Sequence, residues 1–355
     1  MCALPEARPD PYRRKIGPKT LGSARDTAAG EDGGVVVERR RVLGTGLCAA
    51  VLWTGGTTSA LAGGRGQHLA EGDLPTARRL FAAGRYDQLH QVLPGMVARA
   101  SESERTGPVG AARAAGVWVL VSQLAVKEGE MDTAAAFAVR AGTAARRSGR
   151  PVLLAAAARA AATPLRRTGR ADTALQLLGE AHDALDTAPR PSPAVLDASG
   201  MVALTAAYTA AQAQMPSAAE QFASLAEQTA ACLLRDRRVP AGGELSPAQC
   251  VLYRIGIHQK LGDVDRALAY AAGLKPAVLP TPERRARAAT DTARALLAAD
   301  DMPNAFLQLQ LVERAAPQEA RRPSVRALTA EVAARRPDLP GVTAFARRTA
   351  LRPAT

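Results

Sequence analysis

Aromatic residues are scarce: Phe, Trp and Tyr make up 3% of 355 residues, although 47% of the chain is hydrophobic. The apolar content is therefore mostly alanine and leucine, helix formers that pack in thin layers. Alternating runs of Val, Ile, Tyr and Phe are missing, which excludes a sheet-based core. Cysteine is also rare. Cys2, Cys48, Cys232 and Cys250 are too few and too scattered for a disulfide framework or a zinc site. His68, His90, His182 and His258 show no metal-ligand spacing, so no metal or cofactor is expected. There is no G-x-x-x-x-G-K-S/T loop and no G-x-S-x-G elbow. The glycines of Gly44-Thr-Gly-Leu-Cys48 and Gly63-Gly-Arg-Gly66 lack the strand and lysine of a phosphate cradle. These absences lead to the expectation of a non-enzymatic protein.

Charge is plentiful and one-sided, with a net +13 and a pI of about 10.4. The basic residues are mostly arginines dispersed among acids, without interleaved aromatics, so the sequence reads them as solvated surface and expects DNA contact only indirectly or through a partner. Pairs such as Arg166-Arg167, Arg284-Arg285 and Arg321-Arg322 fall near expected helix ends, where cations suit the helix dipole.

Residues 1–37 are rich in Pro, Gly, Asp and Arg with no apolar periodicity, and are expected to be disordered. Residues 38–70 carry Arg39, Arg40 and Arg41, a short apolar stretch to Trp53, and Ala60-Leu61-Ala62. Two readings stay open there. One is an arginine/apolar linker in a cytoplasmic protein; the other is a twin-arginine export signal whose A-x-A cleavage site is formed by Ala60 and Ala62. The apolar run is too short for a stable membrane span.

From residue 71 a single turn recurs. Gly84, Gly129, Gly169, Gln214, Gly262 and Asp300 mark it at intervals of 38 to 48 residues, the size of a helical hairpin. Five residues after each marker stand Leu89, Ala134, Ala174, Ala219, Ala267 and Ala305, small or apolar as close helix contact requires. Three residues after it stand Asp87, Asp132, Asp172, Ser217 and Asp265, which are read as structural helix caps, with Pro303 breaking the column. Hairpins are expected over 72–100, 110–147, 151–185, 194–235, 247–272 and 282–315. A capping helix near 324–335 would close a helical domain spanning 71–336, and 337–355 is expected to be a loosely held tail.

This turn resembles that of the tetratricopeptide repeat (TPR), and Trp118 and Pro317 stand where that repeat often carries Trp and Pro. The resemblance implies an all-α fold, an α-solenoid of about six TPR-like hairpins with a C-terminal capping helix. A second likeness is carried by Arg39-Arg-Arg-Val-Leu43, Gly84-Arg-Tyr-Asp-Gln-Leu89, Gly169-Arg-Ala-Asp-Thr-Ala174, Leu279-Pro-Thr-Pro-Glu-Arg-Arg-Ala-Arg287 and Val312-Glu-Arg-Ala-Ala-Pro-Gln-Glu-Ala-Arg-Arg-Pro323. It is similar to the TPR-like C-terminal region of actinobacterial Xre-type helix-turn-helix transcriptional regulators, here without a recognisable DNA-binding domain. It implies a regulatory sensor that binds a peptide or protein in a concave groove, with a homodimer left open. The first helix of each hairpin would line that groove, which makes Arg113, Gln123, Tyr208, Gln212, Tyr253 and Arg254 the candidate partner-binding residues.

Overall fold

Six positions share one backbone conformation. Gly84, Gly129, Gly169, Gln214, Gly262 and Asp300 have φ of +68°, +87°, +75°, +55°, +78° and +61°, so every expected turn marker is left-handed, including the two that are not glycine. Gln214 is held there by its amide, which donates to the Lys260 carbonyl at 2.7 Å, and Asp300 by an ion pair with Arg335. The computed structural model describes residues 72–350 except 188–190, 237–239 and 241, and all of these belong to one compact unit. The segments 1–37 and 38–70, with Arg39, Arg40, Arg41, Ala60 and Ala62, lie outside the described residues.

The turns join helices in pairs: α1 (Asp73–Ala82) with α2 (Tyr86–Ser103), α3 (Pro108–Glu128) with α4 (Met131–Ser148), and α5 (Pro151–Arg167) with α6 (Ala171–Leu185). They are followed by α7 (Pro193–Gln212) with α8 (Pro216–Arg235), α9 (Pro247–Leu261) with α10 (Val264–Gly273), and α11 (Pro282–Ala298) with α12 (Met302–Ala315). The chain then continues through a one-turn α13 (Pro317–Ala320), α14 (Pro323–Arg335) and α15 (Val342–Ala350), and the described residues contain no strand. Proline starts many of these helices, where its missing N–H costs nothing. Ser192, Ser246 and Thr281 cap α7, α9 and α11 by accepting from the N–H groups of Val195, Gln249 and Arg284.

Two expectations are corrected. Asp87, Asp132, Asp172, Ser217 and Asp265 are not caps but second helical residues; the caps are Arg85, Glu130, Arg170, Met215 and Asp263. The left-handed residue is followed by one non-helical residue, not two, so the acids fall inside the first turn and act on the helix dipole. Side-chain capping comes instead from Asp263 and Asp301, which accept from the N–H groups of Arg266 and Asn304. The expected loose tail contains α15, which turns at Gly341 (φ +83°) and sets a fully buried Phe345 edge-on to Phe306 at 5.5 Å.

The odd-numbered helices from α1 to α11 touch in succession and form an inner row, and the even-numbered ones lie outside it. Leu89, Ala134, Ala174, Ala219, Ala267 and Ala305 are all 0% exposed, so the small-residue column sits where each outer helix meets the inner row. α3 and α7 are long and apolar enough to cross a bilayer, yet 72% of each such stretch is buried in the protein, as core helices are. The inner row also meets itself, because α1 touches α11. At this seam the Tyr86 hydroxyl donates to Glu319, the Asp87 N–H donates to Gln318 Oε1 at 3.0 Å, and Lys127 lies between Glu283 and Glu319.

Gly84 and Gly169 separate the cost of a turn from the cost of the seam. A Cβ on Gly169 meets nothing within 4 Å, whereas one on Gly84 lies 2.8 Å from Ala316 Cβ. In denaturant unfolding, Gly169→Ala is expected to lose about 1–2 kcal/mol from left-handed strain alone. Gly84→Ala should lose roughly 1–3 kcal/mol more through overpacking. Equal losses would contradict this packing.

Candidate ligand-binding site

Polar residues recur along α11 at Arg284, Arg287, Asp291 and Arg294, a three-and-four spacing that keeps them on one helix face. Arg159, Thr163 and Arg166 do the same on α5, and Thr205 and Tyr208 on α7. Because these helices belong to one inner row that closes on itself, the faces converge on a cavity of about 210 Å³. Gln123, Val126 and Lys127 of α3 and Tyr253 of α9 complete much of the wall. Gly256 makes room for Tyr208, since a Cβ there would come 2.7 Å from its ring.

The wall is strongly cationic. Lys127, Arg159, Arg166, Arg167, Arg284, Arg287, Arg294 and Arg322 face two carboxylates, Glu283 and Asp291. Some of this charge is met. Asp291 accepts from Arg294 at 2.6 Å and lies 3.6 Å from Arg287, and Arg322 pairs with Glu319 at 2.7 Å. Glu244, on the connection from α8 to α9, bridges Arg159 at 2.9 Å and Arg284 at 3.3 Å. The Arg159 guanidinium, against the opposing effect of burial, holds the Glu244 carboxyl down at about 2.

Among the described residues, the half-buried Arg166 and the exposed Arg167 have no carboxylate partner. The Arg166 guanidinium lies 4.8 Å over the Tyr208 ring, and burial with Arg287 and Arg167 nearby lowers its proton affinity. Burial, Arg322 and Arg294 do the same to Arg167. Both remain cations, because guanidinium does not lose its proton in proteins. The arginines also act on Tyr253. Burial opposes ionisation of its hydroxyl, but Arg287, Arg159 and Arg284 outweigh it and bring Tyr253 down to about 7.

Of the six candidate residues named from sequence, Gln123, Tyr208 and Tyr253 line this cavity, and Tyr208 meets Tyr253 edge-on at 6.5 Å. Arg113, Gln212 and Arg254 do not. Arg254 is 3% exposed and grips Glu227 at 2.7 Å and Glu220 on α8, which makes it a brace between hairpin layers. Gln212 donates to the Arg166 carbonyl at 3.3 Å and ties α7 to α5. The arginines of α5 and α11 were missed because they were read as solvated pairs. Arg166, Arg167, Arg284 and Arg322 in fact line the cavity, while Arg285 turns away to the Leu279 carbonyl.

An absorbance titration of the five tyrosines should show one phenolate forming near pH 7, and Arg287→Met should move it up toward the ordinary value of about 10. Because the folded-state value is depressed, the stability it adds is full above about pH 10 and is lost as pH falls to about 7. Absence of any phenolate signal below pH 9 would contradict the assigned electrostatics. Comparison of the chain with protein-family models, curated proteins and solved structures finds no match.

Proposed function

We propose that the chain is a non-enzymatic binding module, a TPR-like α-solenoid of six hairpins whose ligand carries negative charge and sits within the inner row. The observation that carries this reading is the pair Arg166 and Arg167, unmatched by any carboxylate among the described residues in a wall where cations outnumber acids. Such crowding of like charge is unfavourable by itself and is relieved by an anion.

The contact between α1 and α11 bears on ligand size. A groove open along one side would suit a peptide, but here α1 meets α11 and the cavity between the inner helices, still open to solvent on one side, holds about 210 Å³. That is below the roughly 300–1,000 Å³ of sites for drug-sized ligands, which favours a compact anion over a threaded peptide. The likeness to the helical region of regulators supports a sensor role, in which occupancy of the cavity is felt by every inner helix.

Thermal unfolding at low salt with a panel of small anions tests the proposal. A binding anion at a hundred times its Kd should add about 2.7 kcal/mol of stability. The gain should shrink with salt and largely vanish in Arg166→Ala/Arg167→Ala. If no anion in the panel stabilises the chain, or if the double variant gains as much as wild type, the binding proposal fails.

A further inference from the structure

We propose that the anion is a phosphoryl group, carried by a compact molecule without an aromatic base and held at the end of the cavity marked by Arg166, Arg167 and Arg294. This rests on the anion-binding reading above and names the ligand class for that site.

The two ends of the cavity differ. At one, Arg159 of α5 and Arg284 of α11 already share the Glu244 carboxylate, so their charge is met from within the chain. At the rise of an α-helix, Arg166 and Arg294 lie roughly 10–15 Å farther along the same two helices. There the balance is reversed. Asp291 serves both Arg294 and Arg287, and Glu319 serves both Arg322 and Lys127, so among the described residues no carboxylate is left for Arg167 or for Arg166, whose guanidinium rests on the Tyr208 ring.

Guanidinium is a planar fork matched to oxyanions, and a carboxylate offers two oxygens and one charge to such forks. A phosphoryl group offers three oxygens and close to two charges, which suits a site where several arginines converge. The Gln123 amide and the Thr163 hydroxyl line the same cavity and supply neutral donors beside the cations. Shape limits the remainder of the ligand. The Tyr208 face is already covered by the Arg166 guanidinium at 4.8 Å, and Arg287 lies 4.4 Å over Tyr253, so neither ring is open for stacking a base. With about 210 Å³ in all, a small phosphate monoester or phosphate itself fits the space.

Calorimetric titration of the full chain at low salt with glycerol 1-phosphate, inorganic phosphate and succinate tests this. The phosphoryl ligands should bind at least about tenfold more tightly than succinate. Arg166→Lys/Arg167→Lys, which keeps charge but loses the fork, should weaken them by about tenfold with the melting temperature unchanged, and the surface variant Arg314→Ala should have no effect. Either phosphoryl ligand binding better supports the assignment, and their order tells an ester from free phosphate as the source. Succinate binding as tightly as the phosphates, or no loss in the lysine variant, overturns the phosphoryl assignment but leaves anion binding standing. If none of the three binds, both readings fall.

Discussion

The buried cluster of Lys127 between Glu283 and Glu319 is the constraint on which the rest of the structure depends. Lys127 comes from the second hairpin, and its two acids come from the sixth and from the short helix after it. The Lys127–Glu319 contact is 2.8 Å, Glu319 is fully buried, and Arg322 reaches the same carboxylate at 2.7 Å. Burial alone would push both carboxyls up, but Lys127 reverses this and holds each below the usual carboxylate range, helped by Arg284 at Glu283 and Arg322 at Glu319. Buried ion pairs of this kind add little net stability, because desolvation offsets attraction. Their effect is on geometry: the charges are satisfied only when the second hairpin meets the sixth and the short helix after it in one register.

Closure decides what the inner helices can do with their polar faces. In an open array Arg159, Arg166, Arg284 and Arg294 would point into solvent along a groove, and their charges would be screened. In a closed row they face each other across a small cavity, where partly buried charges are screened less than on an open surface. Some of that repulsion is offset internally by Glu244 and Asp291, and some lowers the affinity of Tyr253 for its proton. The remainder, at Arg166 and Arg167, is what makes the cavity a receptor for an anion. Alanine makes this possible, because its small side chain lets inner and outer helices approach closely enough for the row to curve back on itself.

Much of the helix pairing could be read in the sequence, since turn chemistry is local. Gly262 and its equivalents announce left-handed turns by residue type, and Gln214 and Asp300 could be placed in the same column by spacing alone. The cap residues were placed two positions too late, because Asp265 and Asp263 are equally good cap types and sequence cannot count the non-helical residues between two helices. The cavity was half visible. Gln123, Tyr208 and Tyr253 were found as polar or aromatic residues on first helices, but the arginines of α5 and α11 look like solvated helix-end pairs until it is known that those helices face each other. That knowledge depends on contacts such as Tyr86 with Glu319, 233 positions apart, which no local pattern encodes.

Hydrogen exchange of the Lys127→Met variant tests the closure most directly. With its cation removed, Glu283 and Glu319 are left as unpaired buried acids, at a cost of about 3–5 kcal/mol. The closure predicts that amides of α1, α2 and α13 lose protection together, while those of α5 to α8 keep theirs. Unchanged protection at α1 and α13, or an even loss along the whole chain, would contradict a ring held shut at Lys127.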